Sequence, residues 1–95
     1  MWVIQANEVK YGYIDAGGWV AISPQFQVAR PFSEGLAAVC LENRWGFIDK
    51  TGKFVISPQF LSAESFSDGL AWVEQPQTGA FGYIDRTGAY VWGPY

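Results

Sequence analysis

The segment Trp45-Gly46-Phe47-Ile48-Asp49-Lys50-Thr51-Gly52-Lys53-Phe54-Val55-Ile56-Ser57-Pro58-Gln59-Phe60 sets two β-rich runs around one polar turn. Trp45 to Asp49 reads as one strand and Lys53 to Ser57 as the next, because β-branched and aromatic residues recur in short runs without a 3.6-residue apolar period. Asp49-Lys50-Thr51-Gly52 joins them. A carboxylate at the first turn position accepts hydrogen bonds from N–H groups two or three residues on. Glycine then takes the positive φ that ends a type I turn in a bulge. Pro58 has no N–H for a ladder and reads as the end of the strand. The segment predicts a β-hairpin.

Working outward, the hairpin recurs. Residues 11–41 laid over 45–75 give 16 identities in 31 ungapped pairs. A third copy opens at Phe81-Gly82-Tyr83-Ile84-Asp85, 36 residues further on. Asp15, Asp49 and Asp85 therefore read as turn caps, with Gly18, Gly52 and Gly88 as their positive-φ glycines. Gly12, Gly46 and Gly82, between aromatics, read as places of close backbone approach beneath an aromatic neighbour. Val20 and Ile22, Phe54 and Ile56, and Tyr90 and Trp92 alternate along one face, which predicts that this face is buried. Pro24 and Pro94 end their strands as Pro58 does. Phe32-Ser33-Glu34-Gly35 and Phe66-Ser67-Asp68-Gly69 read as tight turns launching a third strand, Leu36 to Leu41 or Leu70 to Gln75.

The front of the chain carries that third strand as well. Residues 2–15 over 72–85 give 7 identities in 14 ungapped pairs, which places Trp2-Val3 on Trp72-Val73. The reading is one all-β domain, residues 1–95, of three tandem antiparallel units of about 34–36 residues, near 2–35, 36–69 and 70–95. Each is a hairpin plus one further strand. The N-terminal strand is expected to complete the C-terminal repeat, either within one molecule or from a neighbour, since open edges invite pairing.

Tyr11-Gly12-Tyr13-Ile14-Asp15, Trp45-Gly46-Phe47-Ile48-Asp49-Lys50-Thr51-Gly52 and Phe32-Ser33-Glu34-Gly35-Leu36-Ala37 resemble the bacterial WG (KWG) repeat. The resemblance spans nearly the whole chain. It departs at Tyr11 and Phe81, which replace the tryptophan, and in the third unit, which lacks the Phe-Ser-acid-Gly segment. It implies a repeat architecture in a bacterial or phage protein and assigns no chemistry, since most of the family has no known biochemical role.

Composition narrows the function classes. The chain is 49% hydrophobic, 18% aromatic and 16% charged, so it can fold. Its net charge of −3 and dispersed Lys and Arg do not form a nucleic-acid or anionic-membrane footprint. Without histidine, and with Cys40 its single cysteine, the chain offers neither an activated thiol nor a thiolate metal cluster. Cys40 reads as a buried small hydrophobe of a reducing compartment. No basic n-region or ~20-residue apolar run is present, so a cytoplasmic protein is expected. The turn aspartates already have local partners, which lowers a carboxyl pKa where catalysis would raise one. No enzyme activity, metal or cofactor is expected.

Recognition remains. If Val3, Val39 and Val73 face inward, alternation sends Trp2 and Trp72 outward, and exposed tryptophans mark recognition surfaces. Glu34 and Asp68 join them as candidate partner contacts. Tyr11, Trp45 and Phe81 read as packing residues. The expected function is a non-catalytic protein-recognition module, a small adaptor or stoichiometric inhibitor, binding a partner protein or itself. The alternative is a glycan or nucleotide-like ligand stacked on aromatics between repeats.

Overall fold

The computed structural model describes residues 1–7 and 10–95. Among them every regular element is a strand: β1 (Trp2–Asn7), β2 (Lys10–Ile14), β3 (Val20–Phe26), β4 (Val28–Ala29), β5 (Ala37–Leu41), β6 (Arg44–Ile48), β7 (Phe54–Phe60), β8 (Ser62–Ala63), β9 (Ala71–Glu74), β10 (Phe81–Ile84) and β11 (Tyr90–Trp92). They form three antiparallel sheets, ordered β1-β2-β3, β4-β5-β6-β7 and β11-β10-β9-β8. The described residues include no helix long and apolar enough to cross a membrane.

The hairpins form where the aspartates sit. Asp49 Oδ1 accepts hydrogen bonds from the N–H groups of Thr51 (2.9 Å) and Lys53 (3.2 Å) and from the Thr51 hydroxyl (2.5 Å). Asp85 repeats this with Thr87 and Ala89, and Asp15 accepts from the Gly17 and Trp19 N–H groups. Gly18, Gly52 and Gly88 follow at φ of 84°, 90° and 90°. In the connections, Glu34-Gly35 and Asp68-Gly69 all have positive φ, and Ser33 and Ser67 exchange backbone hydrogen bonds with Leu36 and Leu70. That is a two-residue type I′ turn.

Pro24 and Pro58 do not end their strands, and the reason lies in the glycines. Trp45 pairs with Phe60 and Phe47 with Ile56, so Gly46 alone faces Ser57-Pro58-Gln59. Gly12 faces Ser23-Pro24-Gln25 in the same way. A residue inside such a bulge owes the ladder no N–H, so proline fits there. The bulge swings the strand against the glycine. A Cβ on Gly46 would lie 2.6 Å from the Ile56 carbonyl oxygen and 2.8 Å from the Pro58 nitrogen. At Gly12 and Gly46 the close approach is thus to the neighbouring backbone, whereas at Gly82 both the Trp92 carbonyl oxygen and the Tyr90 ring, 3.0 Å away, crowd the same position. Only Pro94 lies beyond its strand, β11.

The bulged strand then leaves its sheet. Immediately after Phe26, the Gln27 N–H donates to the Cys40 carbonyl (2.8 Å). Immediately after Phe60, the Leu61 N–H donates to that of Glu74 (2.8 Å). Residues 27–36 and 61–70 therefore belong with the sheet that follows, and the sheet boundaries fall at Gln27 and Leu61 instead of 35/36 and 69/70.

The expected mending of the C-terminal unit by the N-terminal strand does not occur within the chain. β1 pairs with β2, from Trp2 opposite Ile14 to Gln5 opposite Tyr11, and β9 already serves β10. Each further strand joins the hairpin that follows it, which leaves no gap. Nor do Trp2 and Trp72 correspond. Ile14, Ile48 and Ile84 stand opposite Trp2, Ala37 and Ala71, whereas Trp72 faces Tyr83 as Val3 faces Tyr13. Six positions separate Gln5 from Tyr11 and seven separate Glu74 from Phe81, so an ungapped alignment slips by one and exchanges the two faces.

Two cores hold the three sheets in a stack. Tyr13, Ile22 and Phe26 of the first sheet pack on Ala37, Val39 and Ile48 of the second. The opposite face of the second sheet, with Ala38, Cys40, Trp45, Phe47, Ile56 and Phe60, packs on Ala63, Phe66, Ala71, Val73 and Ile84 around the third. The alternating face predicted along β3, β7 and β11 is buried only at Ile22 and Ile56; Val20, Phe54 and Trp92 are exposed. A second register shift next to Val20 and Phe54 breaks the alternation there.

Gly46→Ala forces a Cβ into the neighbouring backbone and is expected to cost about 2–4 kcal/mol in urea unfolding. Gly17→Ala, whose Cβ would come no closer than 3.2 Å to the Trp19 side chain, is the control, expected within about 0.5 kcal/mol of wild type.

Candidate functional site

The third sheet presents a face that its neighbours bury. Strand pairing makes Trp72, Phe81, Tyr83 and Trp92 the counterparts of Ala38, Trp45, Phe47 and Ile56. Tyr95 exchanges backbone hydrogen bonds with Phe81 (3.0 and 3.2 Å) at the place where Phe60 pairs with Trp45. In the second sheet Trp45, Phe47 and Ile56 are 9%, 0% and 4% exposed; Phe81, Tyr83 and Trp92 are 43%, 42% and 48% exposed. Every one of the five positions is aromatic here.

The rings form one contiguous surface. Trp92 lies 6.1 Å from Phe81, 6.1 Å from Tyr83 and 4.9 Å from Tyr95, centroid to centroid, and Phe81 lies 6.2 Å from Trp72. Rigid aromatics that are already held by one another lose little conformational freedom when covered, and exposed clusters of this kind are typical of protein interfaces.

The predicted contact residues are dispersed. Trp72 is half-buried at the margin of the aromatic face. Trp2 is 57% exposed on the opposite end of the stack, on the outer face of the first sheet. Glu34 already has a partner within the chain: its Oε1 accepts the Gly69 N–H at 2.9 Å. Asp68 is exposed at the equivalent turn. Phe81, read as a packing residue, is part of the exposed face, and Tyr83, Trp92 and Tyr95 were not legible as site residues. The available signal was a substitution pattern, Ala38 to Trp72 and Ile56 to Trp92 between units. Using it requires knowing which sheet lies at the end.

Glu34 belongs to a set of contacts joining successive units. The Ser33 hydroxyl donates to the Phe66 carbonyl (2.6 Å), and Arg30 Nε donates to that of Ala63 (3.0 Å). The Arg30 guanidinium also lies 5.0 Å over the Trp45 ring and 3.6 Å from the Glu64 carboxylate.

Other chemistry is sparse. Burial pushes the Cys40 thiol pKa up, against a weaker lowering by the Asn43 N–H, and it pushes the Tyr13 phenol up strongly. Tyr13 donates to the Arg30 carbonyl at 2.6 Å. The Thr51 and Thr87 hydroxyls, foremost, hold the exposed Asp49 and Asp85 carboxyls below the usual carboxylate range. Among the described residues, no group of three or more Cys, Asp and Glu is placed to hold a metal ion. A cleft of about 190 Å³, lined by Gln59, Gln75, Pro76 and Tyr90 among others, opens between the second and third sheets. It is smaller than the ~300–1,000 Å³ usual for small-molecule sites.

Comparison with known families is decisive at the level of the repeat. The family model described as WG containing repeat matches residues 11–45 and 45–75, which is more than half of the chain. The chain belongs to the WG-containing repeat family. The two matched WG repeats account for most of the first two sheets and run through β9 of the third, which carries Trp72, whereas Phe81, Tyr83 and Trp92 lie on β10 and β11 beyond the match. No curated protein and no solved structure gives a match.

Two outcomes follow from the contacts. Arg30→Ala is expected to cost about 1–2 kcal/mol in urea unfolding, through the lost hydrogen bond and ring contact. Glu64→Ala, which removes only a solvent-screened ion pair, is expected to cost less than about 0.5 kcal/mol. Asp49 and Asp85 have lowered folded-state pKa values, so the stability they contribute is present above about pH 4. It is lost as pH falls through those lowered values. Asp49→Asn combined with Asp85→Asn is therefore expected to flatten the fall in the urea midpoint between pH 4 and pH 2, compared with wild type.

Proposed function

We propose that this WG-repeat protein is a non-catalytic protein-recognition module and that the aromatic face of the third sheet is its binding surface. The observation that carries the reading is the replacement of a buried face of mixed aliphatic and aromatic residues by Trp72, Phe81, Tyr83, Trp92 and Tyr95, linked ring to ring and four of them exposed. Packing within the chain does not require such a cluster, since these rings face away from both cores. A docking protein would gain from covering it, since large rigid aromatics at the centre of a patch supply most of the energy at interfaces. The core packed beneath the third sheet holds the face in place, so little is lost in ordering it. A module of this kind acts as an adaptor or stoichiometric inhibitor in the cytoplasm, through contact alone.

Replacing Tyr83 by a photo-crosslinking phenylalanine analogue in cells that make the protein tests the reading. A discrete protein adduct from Tyr83, absent when the analogue replaces the exposed Val55, is the expected result. Equal or absent adducts at the two positions would refute it. Saturable quenching of tryptophan fluorescence by a glycan or nucleotide, lost in Trp92→Ala, would instead establish the small-ligand alternative, in which a ligand stacks on the rings.

A further inference from the structure

We infer that the aromatic face of the third sheet is covered by the outer face of the first sheet of a second copy of this chain, so that copies stack head to tail. The inference rests on the proposed recognition role of that face and names its partner.

The molecule shows twice how this face is covered. In both cores, the face carrying Tyr13, Ile22 and Phe26, or Phe47, Ile56 and Phe60, receives the opposite face of the sheet that follows: Ala37, Val39 and Ile48, or Ala71, Val73 and Ile84. The first sheet carries the same covering face on its outer side, with Trp2, Ile4 and Ile14 at the positions of Ala37, Val39 and Ile48. Ile48 and Ile84 are fully buried, whereas Ile14 and Ile4 are only half-buried and Trp2 is exposed. One end thus bears the covering surface, and the other bears the surface that such a sheet covers.

Details at the margins agree. The turn glycine of each following unit lies against the previous sheet. A Cβ on Gly52 would lie 3.5 Å from Ile22, and one on Gly88 would lie 3.5 Å from Ile56. At Gly18 the same position meets nothing within 4 Å, and Trp92, the counterpart of Ile22 and Ile56, is exposed. Trp2 and Trp92 are larger than the residues they replace, so they enlarge the apolar contact of this junction beyond that of the internal ones. The interface is heterologous, and copies therefore form rings or open stacks, not closed two-fold dimers.

Sedimentation velocity on the full chain tests this. Wild type is expected to associate with rising concentration into species beyond twice the 10.6 kDa of one chain. Trp92→Glu with Tyr83→Glu removes one face, and Trp2→Glu removes the other. Each variant alone is expected to be monomeric, and an equimolar mixture to form a 1:1 dimer through the two intact faces. Dimer formation in the mixture also shows that both variants are folded. Should a variant fail to fold, Trp92→Ala, the truncation of an exposed side chain, is expected to raise the dissociation constant at least about tenfold. Wild type that remains monomeric at roughly millimolar concentration overturns the inference, and so does association that either face variant retains alone or that Trp92→Ala leaves unchanged. If wild type is monomeric yet Tyr83 still crosslinks to a different protein, self-stacking fails and the recognition role stands. If neither occurs, both fail.

Discussion

Everything in the stack depends on one close approach of two backbones. Opposite Gly46 the chain spends three residues, Ser57-Pro58-Gln59, where the ladder allows one, and opposite Gly12 it does the same. The excess bends the strand. Because it bends, the strand that closes one sheet can run straight into the next without a turn, and the Gln27 and Leu61 N–H groups already bond to the sheet beyond. A side chain in place of the glycine would push the bulge away and with it the crossing. The glycine is thus required by the strand opposite it, and the tryptophan that precedes it has no part in that requirement.

Such a connection makes each sheet dependent on the one before it. The short strands β4 and β8 are the continuations of β3 and β7 and become the outer strands of the following sheets. Arg30, on one such connection, ties its own sheet through the Trp45 ring to the next through the Ala63 carbonyl. Polar and apolar contacts therefore run in one direction along the chain, with one end that gives and one that receives. The aromatic face and the outer face of the first sheet follow from that polarity.

Much of this was legible in the residues. Each Asp-x-x-Gly turn could be read because the carboxylate, the spacing and the glycine act within five positions. The repeat could be read because identities accumulate over a whole unit. What escaped depended on contacts across the sheet. Proline is excluded from a ladder only where its N–H is needed, and nothing near Pro58 announces that Gly46 frees it from that duty. The spacing from Gln5 to Tyr11, one residue shorter than that from Glu74 to Phe81, exchanged the faces of Trp2 and Val3, although local similarity favoured the wrong alignment. Trp92 continued an apolar alternation, and only the position of its sheet in the stack decides that it meets solvent. The aromatic site was hidden for that reason: exposure there is a property of the order of layers, not of the local pattern.

The side-chain hydrogen bonds between successive sheets span 17, 33 or 35 residues. Energetic coupling in such an array passes chiefly between adjacent layers, and its terminal layers open before the central one. β5 and β6 lie at the heart of the second sheet, with both faces covered, so their amide protons exchange with solvent only when a neighbouring layer has come away. β1 and β11, each on an outer margin, exchange first. Adding or removing one such layer would change the length of the rod and leave the way its layers adhere unaltered.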